Sequence, residues 1–255
     1  MEYSEILDKL TDAYCDILRK NFVGLYVHGS IALGCFNPIK SDIDYICVVH
    51  EEPDDESKLR IMQENLLLEP FAPKKGLEMH VLRLVDCLHP AHPIPFCLHY
   101  SPAHRENYTK DPAGYVRSMQ GNDPDLAAHL TVMHSCGICW KGMPVSEVFG
   151  AVPKEMYLDS ILDDVIPGCG DEVTRICNLC RVWGYLAEGL VLSKQTGALW
   201  ALKQNPKPSA AIEEALLCYT SNAQWSNASS AQDACEWLNA KVLSLLPESM
   251  AKRYR

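Results

Sequence analysis

The sequence predicts an α+β fold in two domains, a mixed-sheet domain followed by a helical bundle. In the first half of the 255 residues, short apolar runs rich in β-branched and aromatic residues alternate with amphipathic segments. From Asp123 onward, apolar residues recur at three- and four-residue steps, and no segment predicts a strand. We place the domains at 1–152 and 153–255, because Gly and Pro interrupt the pattern in "VFGAVPKE".

The elements of the first half follow from periodicity and from turn residues. Ile6, Leu10 and Tyr14 recur at helical spacing, and the run "FVGLYV" is typical of a buried strand. The predicted elements are a helix over 4–20, a strand over Phe22–Val27, a tight turn over 29–34, a strand over Ile43–Val49, a helix from 51 to 68 and a strand over 77–84. Helical periodicity then fills 123–140, 155–166, 171–192, 209–220 and 230–246.

The composition limits the classes of function. The net charge of −10 argues against a general nucleic-acid binder and suits a cationic small molecule. The start "MEYSEILDKLTDAY" lacks the pattern of a secretory signal, and no apolar run reaches the roughly 18 residues that span a membrane. We therefore expect a cytoplasmic monomer that binds neither nucleic acid nor membrane. The 12 cysteines are then expected to be reduced, largely buried thiols.

Two acidic residues open the second predicted strand, in "SDIDYICVV". Asp42 and Asp44 are two positions apart, so their carboxylates project to the same face. Such a pair repels itself unless a cation neutralises it, and oxygen ligands favour magnesium. Gly29 lets the backbone approach a phosphate, and the hydroxyl of Ser30 can donate to its oxygens. This pattern predicts a magnesium and phosphate site, and the alternative is a capped turn with two exposed aspartates.

Taken together, "HGSIALG" and "SDIDYICVV" resemble the signature of the polymerase-β-like nucleotidyltransferase superfamily. The resemblance implies a mixed-sheet nucleotidyltransferase domain with a third carboxylate on a later strand. Glu78 is the candidate, because it lies in the third predicted strand among apolar residues. It would serve as a metal ligand and as the general base toward the attacking hydroxyl. The alternative is an outward-facing residue of an edge strand.

The second half narrows the resemblance to one family. The segment "RICNLCRVWGYLAEGLVLSKQTGALWAL" resembles the C-terminal helical domain of the aminoglycoside adenylyltransferases, the group that modifies spectinomycin at the 9-hydroxyl or streptomycin at the 3''-hydroxyl. The similarity extends to "PFCLHYS", "DPDLAAHLT" and "GMPVSEVFGAVP", in order along the chain. It implies ATP as co-substrate, Mg²⁺ as the metal and transfer of AMP to a hydroxyl of a cationic antibiotic.

The resemblance also assigns residues that bind the nucleotide. Ser30 would contact phosphate, Ser41 would flank the metal site, and Arg181 and Lys194 would reach the triphosphate of ATP. For Arg181 the alternative is an ion pair with a local acid such as Glu188. For Lys194 it is a solvated position in a turn.

The acceptor is expected to meet acidic side chains around "DSILDDVIPGCGDE". Asp171 matches an acidic position of the family's loop and is our candidate for substrate contact, and the alternative is a helix-capping aspartate. Streptomycin-accepting members carry a tryptophan in this loop, and "IPGCGDE" has none. Spectinomycin is therefore favoured over streptomycin.

Three further signals have structural interpretations. Paired cysteines such as Cys136 and Cys139 can bind zinc, but both pairs of this kind fall in apolar, helical-looking segments and are expected to be buried thiols. His28 is interpreted as a strand-end histidine. Trp183 is expected in a core and is a candidate for adenine contact.

Two other functions remain open. A nucleotidyltransferase of the same fold could modify another small hydroxylated molecule or a protein. The third hypothesis is a non-catalytic nucleotide-binding module, which would be expected to lack one of the three carboxylates.

Overall fold

The computed structural model describes residues 1–165, 171–221, 223–225 and 228–254. The chain forms two compact units, Met1–Met156 and Tyr157–Arg255. The first contains a mixed sheet with flanking helices, and the second is helical in the described residues. The predicted α+β fold class is confirmed.

The first unit contains seven strands: β1 Phe22–Val27, β2 Ile43–Val49, β3 Leu77–Arg83, β4 Ile94–Phe96, β5 Leu98–Tyr100, β6 Gly121–Asp123 and β7 Ile138–Gly142. Its helices are α1 Tyr3–Leu18, α2 Gly29–Ala32, α3 Asp55–Leu68, α4 Leu84–Leu88, α5 Arg105–Lys110, α6 Pro112–Ser118, α7 Leu126–Cys136 and α8 Val145–Val148. Helix α9, Lys154–Asp163, runs from this unit into the second.

The main sheet has the strand order β5-β3-β2-β1-β7. Strands β2 and β3 are parallel, and the other neighbouring pairs are antiparallel. β4 and β6 form a separate two-stranded ladder. Because β2 and β3 run in the same direction, their first residues meet at one end of the sheet.

Alternating residues bury the two faces of the sheet in different cores. On one face, Tyr45 and Met79 join a cluster with α1 and α3. There the hydroxyl of Tyr45 donates to Asn65 of α3, whose amide donates to Tyr14 of α1 at 2.5 Å. On the other face, apolar residues of β1, β2 and β3 pack against α7. Because both faces of the sheet are covered, the sequences of its central strands are nearly continuous apolar runs.

Strand β7 contradicts the prediction that no strand follows Asp123 and that both cysteine pairs lie in helices. β6 ends at Asp123, and β7 pairs with β1 at the edge of the main sheet. Cys139 lies within β7. Ile138 is exposed and the neighbouring residues are only half-buried, so burial imposes no alternation that the sequence could reveal.

The second unit contains α10 Glu172–Glu188, α11 Lys194–Lys203, α12 Ser209–Thr220, α13 Ala228–Leu245 and α14 Glu248–Ala251. Helix α10 packs against α11, α12 and α13. Trp183 of α10 meets Trp200 of α11 with ring centroids 5.2 Å apart and Trp237 of α13 at 5.8 Å. With 6% of its surface exposed, Trp183 lies in this helical core.

No helix in the described part of the chain is long and apolar enough to cross a membrane. The cysteines of the described ranges are free thiols, and most are buried. Burial raises the pKa of Cys97 to about 11, which keeps this thiol protonated near neutral pH.

Candidate active site

Asp44 and Glu78 lie opposite each other on the parallel strands β2 and β3. Asp42 precedes β2 by one position, on the same face as Asp44. The ligand oxygens of the three carboxylates lie within 4.8 Å of one another, and each residue is half-buried. No other group of three potential metal ligands converges in this way within the described ranges.

These three carboxylates fit a hard divalent cation. Like charges at such a separation repel, and a bound cation removes that repulsion. Carboxylate oxygens alone, without sulfur or imidazole, are the donors that Mg²⁺ prefers. Because β3 is flanked by β2 and β5, Glu78 does not lie on an edge strand.

The turn after β1 places a glycine against one of these carboxylates. Gly29 has a φ of +57°, and a Cβ on it would overlap the side chain of Asp44. The N–H of His28 donates to the carbonyl of Asp44 at 3.1 Å, which fixes the turn to β2. A side chain at position 29 would therefore be strained both by its backbone and by contact.

Ser30 follows in the first turn of α2, with a buried Oγ that has no hydrogen-bond partner in the described part of the protein. Buried hydroxyls normally have a partner, so this atom is available to a ligand. Ser41 is also buried, and its Oγ accepts the N–H of Asn37 at 3.1 Å. This bond closes the loop that leads to Asp42.

Arg181 lies on α10, in the second unit. Its Nε donates to the carbonyl of Leu192 at 3.0 Å, and Nη1 donates to Oδ1 of Asn178 at 3.1 Å. Arg181 and Glu188 form no ion pair within the described residues. The guanidinium is thus anchored by neutral acceptors and keeps its net positive charge.

Lys194 is the first residue of α11, directly after the cap residue Ser193. One turn later, Gly197 packs so closely on Arg181 that a Cβ would lie 2.8 Å from its Cγ. Burial raises the pKa of Cys177 to about 12 and outweighs the opposing effect of Lys194 and Arg181. Helix α11, which begins at Lys194, thus packs on the part of α10 that carries Arg181.

Asp171 caps the N-terminus of α10. Its Oδ1 accepts the N–H of Thr174 and its Oδ2 accepts the Thr174 hydroxyl, each at 2.9 Å. Burial acts to raise the pKa of Asp171, but the bonds from Thr174 outweigh it and the pKa lies below its usual range. The alternative interpretation as a capping aspartate thus matches these contacts. Residues 166–170 of the tryptophan-free loop "IPGCGDE" lie outside the described residues.

A group of histidines beside the carboxylates was not predicted from the sequence. His80 follows Glu78 by two positions on β3, and its ring stacks on that of His99 of β5 at 4.1 Å. Burial lowers the pKa of His28 and of His80, and lowers that of His99 to about 3, so these imidazoles are neutral. In the sequence, the two-residue spacing of Glu78 and His80 is the one pattern that indicates a histidine on the sheet face of the carboxylates.

Known proteins resemble both halves of the chain. The model of the aminoglycoside adenylyltransferase C-terminal domain matches residues 147–242. A spectinomycin 9-adenylyltransferase of Staphylococcus aureus is 27% identical over 201 residues, 75% of each chain. Another, of Campylobacter jejuni, is 22% identical over 218 residues, 81% of each chain.

By these matches the chain is similar to the aminoglycoside adenylyltransferase family. The resemblance seen in the sequence is thereby confirmed. The family's C-terminal domain model covers Arg181 and Lys194, while the three carboxylates lie before it, so the match does not depend on the carboxylate motif.

The fold of the chain is similar to that of a solved structure. The crystal structure of spectinomycin adenyltransferase AAD(9) from Enterococcus faecialis, with ATP and spectinomycin, superposes with a TM-score of 0.77 at 22% identity. The similarity covers 93% of this chain and 98% of that one. Both units therefore have counterparts in that fold.

Proposed function

We propose that the protein transfers AMP from ATP to a hydroxyl of an aminoglycoside or aminocyclitol antibiotic, with pyrophosphate as the leaving group. The observation that carries this proposal is the convergence of Asp42, Asp44 and Glu78 beside the Gly29–Ser30 turn. Similarity to the aminoglycoside adenylyltransferase family supports the acceptor class. Spectinomycin is favoured over streptomycin, because the curated relatives named above are spectinomycin 9-adenylyltransferases and the loop lacks tryptophan.

Asp42, Asp44 and Glu78 would hold Mg²⁺ through their oxygens. Bound there, the metal would supply charge neutralisation for the phosphates and would align the attacking and leaving oxygens. Asp42, one position before β2, and Asp44, within β2, converge with Glu78 of β3. Their role is to fix the position of charge rather than to exchange protons.

Glu78 acts as the general base in this proposal. It accepts the proton of the acceptor hydroxyl as that oxygen attacks the α-phosphorus, and the bond from the α-phosphorus to the pyrophosphate oxygen breaks. Its half-buried position on an interior strand limits the orientations of the carboxylate. Restricted orientation is what a base needs in order to meet one particular hydroxyl.

Ser30 binds a phosphate oxygen through its buried, otherwise unpartnered hydroxyl. Gly29 allows the backbone to come close enough for this contact. Arg181 and Lys194 contribute positive charge toward the triphosphate, and Arg181 is held in place by Leu192 and Asn178.

Asp171 would contact an amine of the acceptor while its oxygens also cap α10. A carboxylate has about four acceptor positions, and the two bonds from Thr174 leave others for a cationic ligand. The acidic net charge of −10 also favours the approach of a polycation.

The deciding experiment measures pyrophosphate release from MgATP by the purified protein, with spectinomycin and streptomycin offered separately and Asp42→Asn as the control. Release with spectinomycin alone is expected. Release with both antibiotics would contradict the preference for spectinomycin. Release with neither antibiotic, despite MgATP binding, would mean that the acceptor is another hydroxylated molecule or a protein. Failure to bind MgATP would overturn nucleotidyl transfer itself.

A further inference from the structure

Three imidazoles form a continuous group on the sheet face that carries the carboxylates. His28 follows β1 and is 3% exposed, His80 of β3 is 2% exposed, and His129 projects from α7. The ring centroids of His28 and His129 are 4.7 Å apart, and those of His80 and His129 are 5.7 Å apart. His129 therefore contacts one histidine that follows β1 and another that lies on β3.

His28 connects this group to the Gly29–Ser30 turn. Its N–H donates to the carbonyl of Asp44, and its own carbonyl accepts the N–H of Ala32 at 3.4 Å. The backbone of His28 thus joins β2 to the first turn of α2. A displacement of the His28 ring would move the turn that is proposed to bind phosphate.

His80 connects the group to the third carboxylate. Glu78 and His80 are two positions apart on β3, so their side chains share one face. The His80 ring is fixed on its other sides by the stacked ring of His99 and by Asp123, whose Oδ2 lies 3.4 Å from Nε2. A displacement of His80 would alter the strand segment that carries Glu78.

We infer that His129 is a positioning residue: its ring, supported by α7, fills the space between His28 and His80 and fixes the distance from the Gly29–Ser30 turn to the strand that carries Glu78. This inference rests on the proposed function. The reaction requires the phosphate and the base to keep a fixed separation, and errors of about 1 Å cost on the order of 100-fold in rate. His129 is well placed to maintain that separation without touching the reacting atoms.

The role depends on the shape of the ring rather than on its nitrogens. Nδ1 of His129 is buried and has no hydrogen-bond partner among the described residues. A buried polar atom without a partner lowers stability, so the ring is held by packing. Phenylalanine would offer a flat ring of similar size without this nitrogen.

The test compares His129→Ala, His129→Phe and His129→Leu with wild type, by kcat, by KM for MgATP, by MgATP affinity and by thermal unfolding. His134→Ala is the matched control, since it removes another imidazole from helix α7. The Nδ1 of that imidazole contacts the carbonyl of Phe149 at 3.1 Å, outside the group formed by His28, His80 and His129. We expect kcat/KM for His129→Ala to fall about 10- to 100-fold at temperatures where it is fully folded. His129→Phe should stay within about threefold of wild type, with equal or higher thermal stability.

Wild-type kinetics in folded His129→Ala, or equal losses in His129→Ala and His134→Ala, would overturn the inference. So would an equal loss in His129→Phe and His129→Ala. If His129→Ala does not fold, the comparison of His129→Leu with His129→Phe decides, because only phenylalanine restores a flat ring. If the wild-type protein binds no MgATP, the proposed function itself is overturned. If it binds MgATP without turnover, the MgATP affinities of the His129 variants become the readout for this inference.

Discussion

Asp44 and Glu78 are register partners on two parallel strands, so the geometry of the candidate site depends on the pairing of β2 with β3. A shift of the pairing by one residue would bring Asp44 opposite a residue of the other face. The buried runs on both faces, including Tyr45 opposite Met79, prevent such a shift. The same apolar residues that form the core therefore also set the spacing of the carboxylates.

Glu78→Gln should retain MgATP affinity and lose turnover. Glutamine keeps the size and the oxygen of the side chain but cannot accept the hydroxyl proton, and general bases contribute typically 10²- to 10⁴-fold in rate. The measurements are kcat and the dissociation constant of MgATP. Glu56→Gln, an exposed carboxylate of α3, is the control. Turnover near the wild-type rate would remove Glu78 from the role of base.

Gly29→Ala should weaken MgATP binding and lower stability by more than the cost of its backbone conformation alone. Gly189 provides the matched control, because it has a φ of +70° and nothing within 4 Å of an added Cβ. Alanine at position 189 should cost about 1 kcal/mol in unfolding free energy. The excess at position 29 measures the overlap with Asp44. Equal losses of stability in the two variants, with unchanged affinity for MgATP, would show that this overlap is unimportant.

Arg181→Ala should weaken MgATP binding by about 10- to 150-fold, because a charge-assisted contact to phosphate is worth roughly 1.5–3 kcal/mol. Asn178→Ala is the comparison, since it keeps the charge and removes one of the two neutral anchors of the guanidinium. A smaller effect is expected for this variant. The readout is MgATP affinity by titration calorimetry. An Arg181→Ala protein with wild-type affinity would exclude the guanidinium from the nucleotide site.

Asp171→Asn should separate the two roles of this residue. Asparagine is about as good an N-cap as aspartate, whereas alanine costs about 1 kcal/mol. We therefore expect Asp171→Asn to keep its unfolding midpoint and to raise KM for the acceptor with little change in KM for MgATP. Asp171→Ala should lower the unfolding midpoint and also raise KM for the acceptor. Unchanged acceptor kinetics in Asp171→Asn would leave Asp171 as a cap alone.

The cap should also depend on pH. The pKa of Asp171 is lower in the folded protein than in the unfolded chain, so its contribution to stability is complete above the unfolded value of about 3.9 and is lost as the pH falls through the folded value. The destabilisation caused by Asp171→Ala should thus be larger at pH 7 than near pH 3. Chemical denaturation at the two pH values tests this, and an equal difference at both would argue against the ionised cap.

Local patterns were sufficient for the central strands and for the carboxylate pair. Phe22–Val27 and Ile43–Val49 have the bounds expected from their apolar runs, because burial on both faces leaves few alternatives. The period of a strand places Asp42 and Asp44 on one face. These features arise from neighbours in sequence, which is why they could be predicted.

Features made by distant segments could not be predicted. The contact of His129 with His28 joins α7 to the end of β1, and no local pattern in the sequence indicates it. His99 lies in a segment rich in His and Pro, whose packing against His80 depends on the pairing of β5 with β3. β7 was missed for a related reason, since a short, half-exposed edge strand is stabilised by its partner rather than by its own sequence.

The late position of β7 in the chain has a consequence for biosynthesis. β1 leads into the Gly29–Ser30 turn, and one of its two edges stays without a partner until Gly142 has left the ribosome. An unpaired strand edge on a nascent chain can join to other chains. The segment with all three carboxylates is thus synthesised well before the sheet that supports it can close, and the free edge of β1 is open to other chains during the translation between these two points.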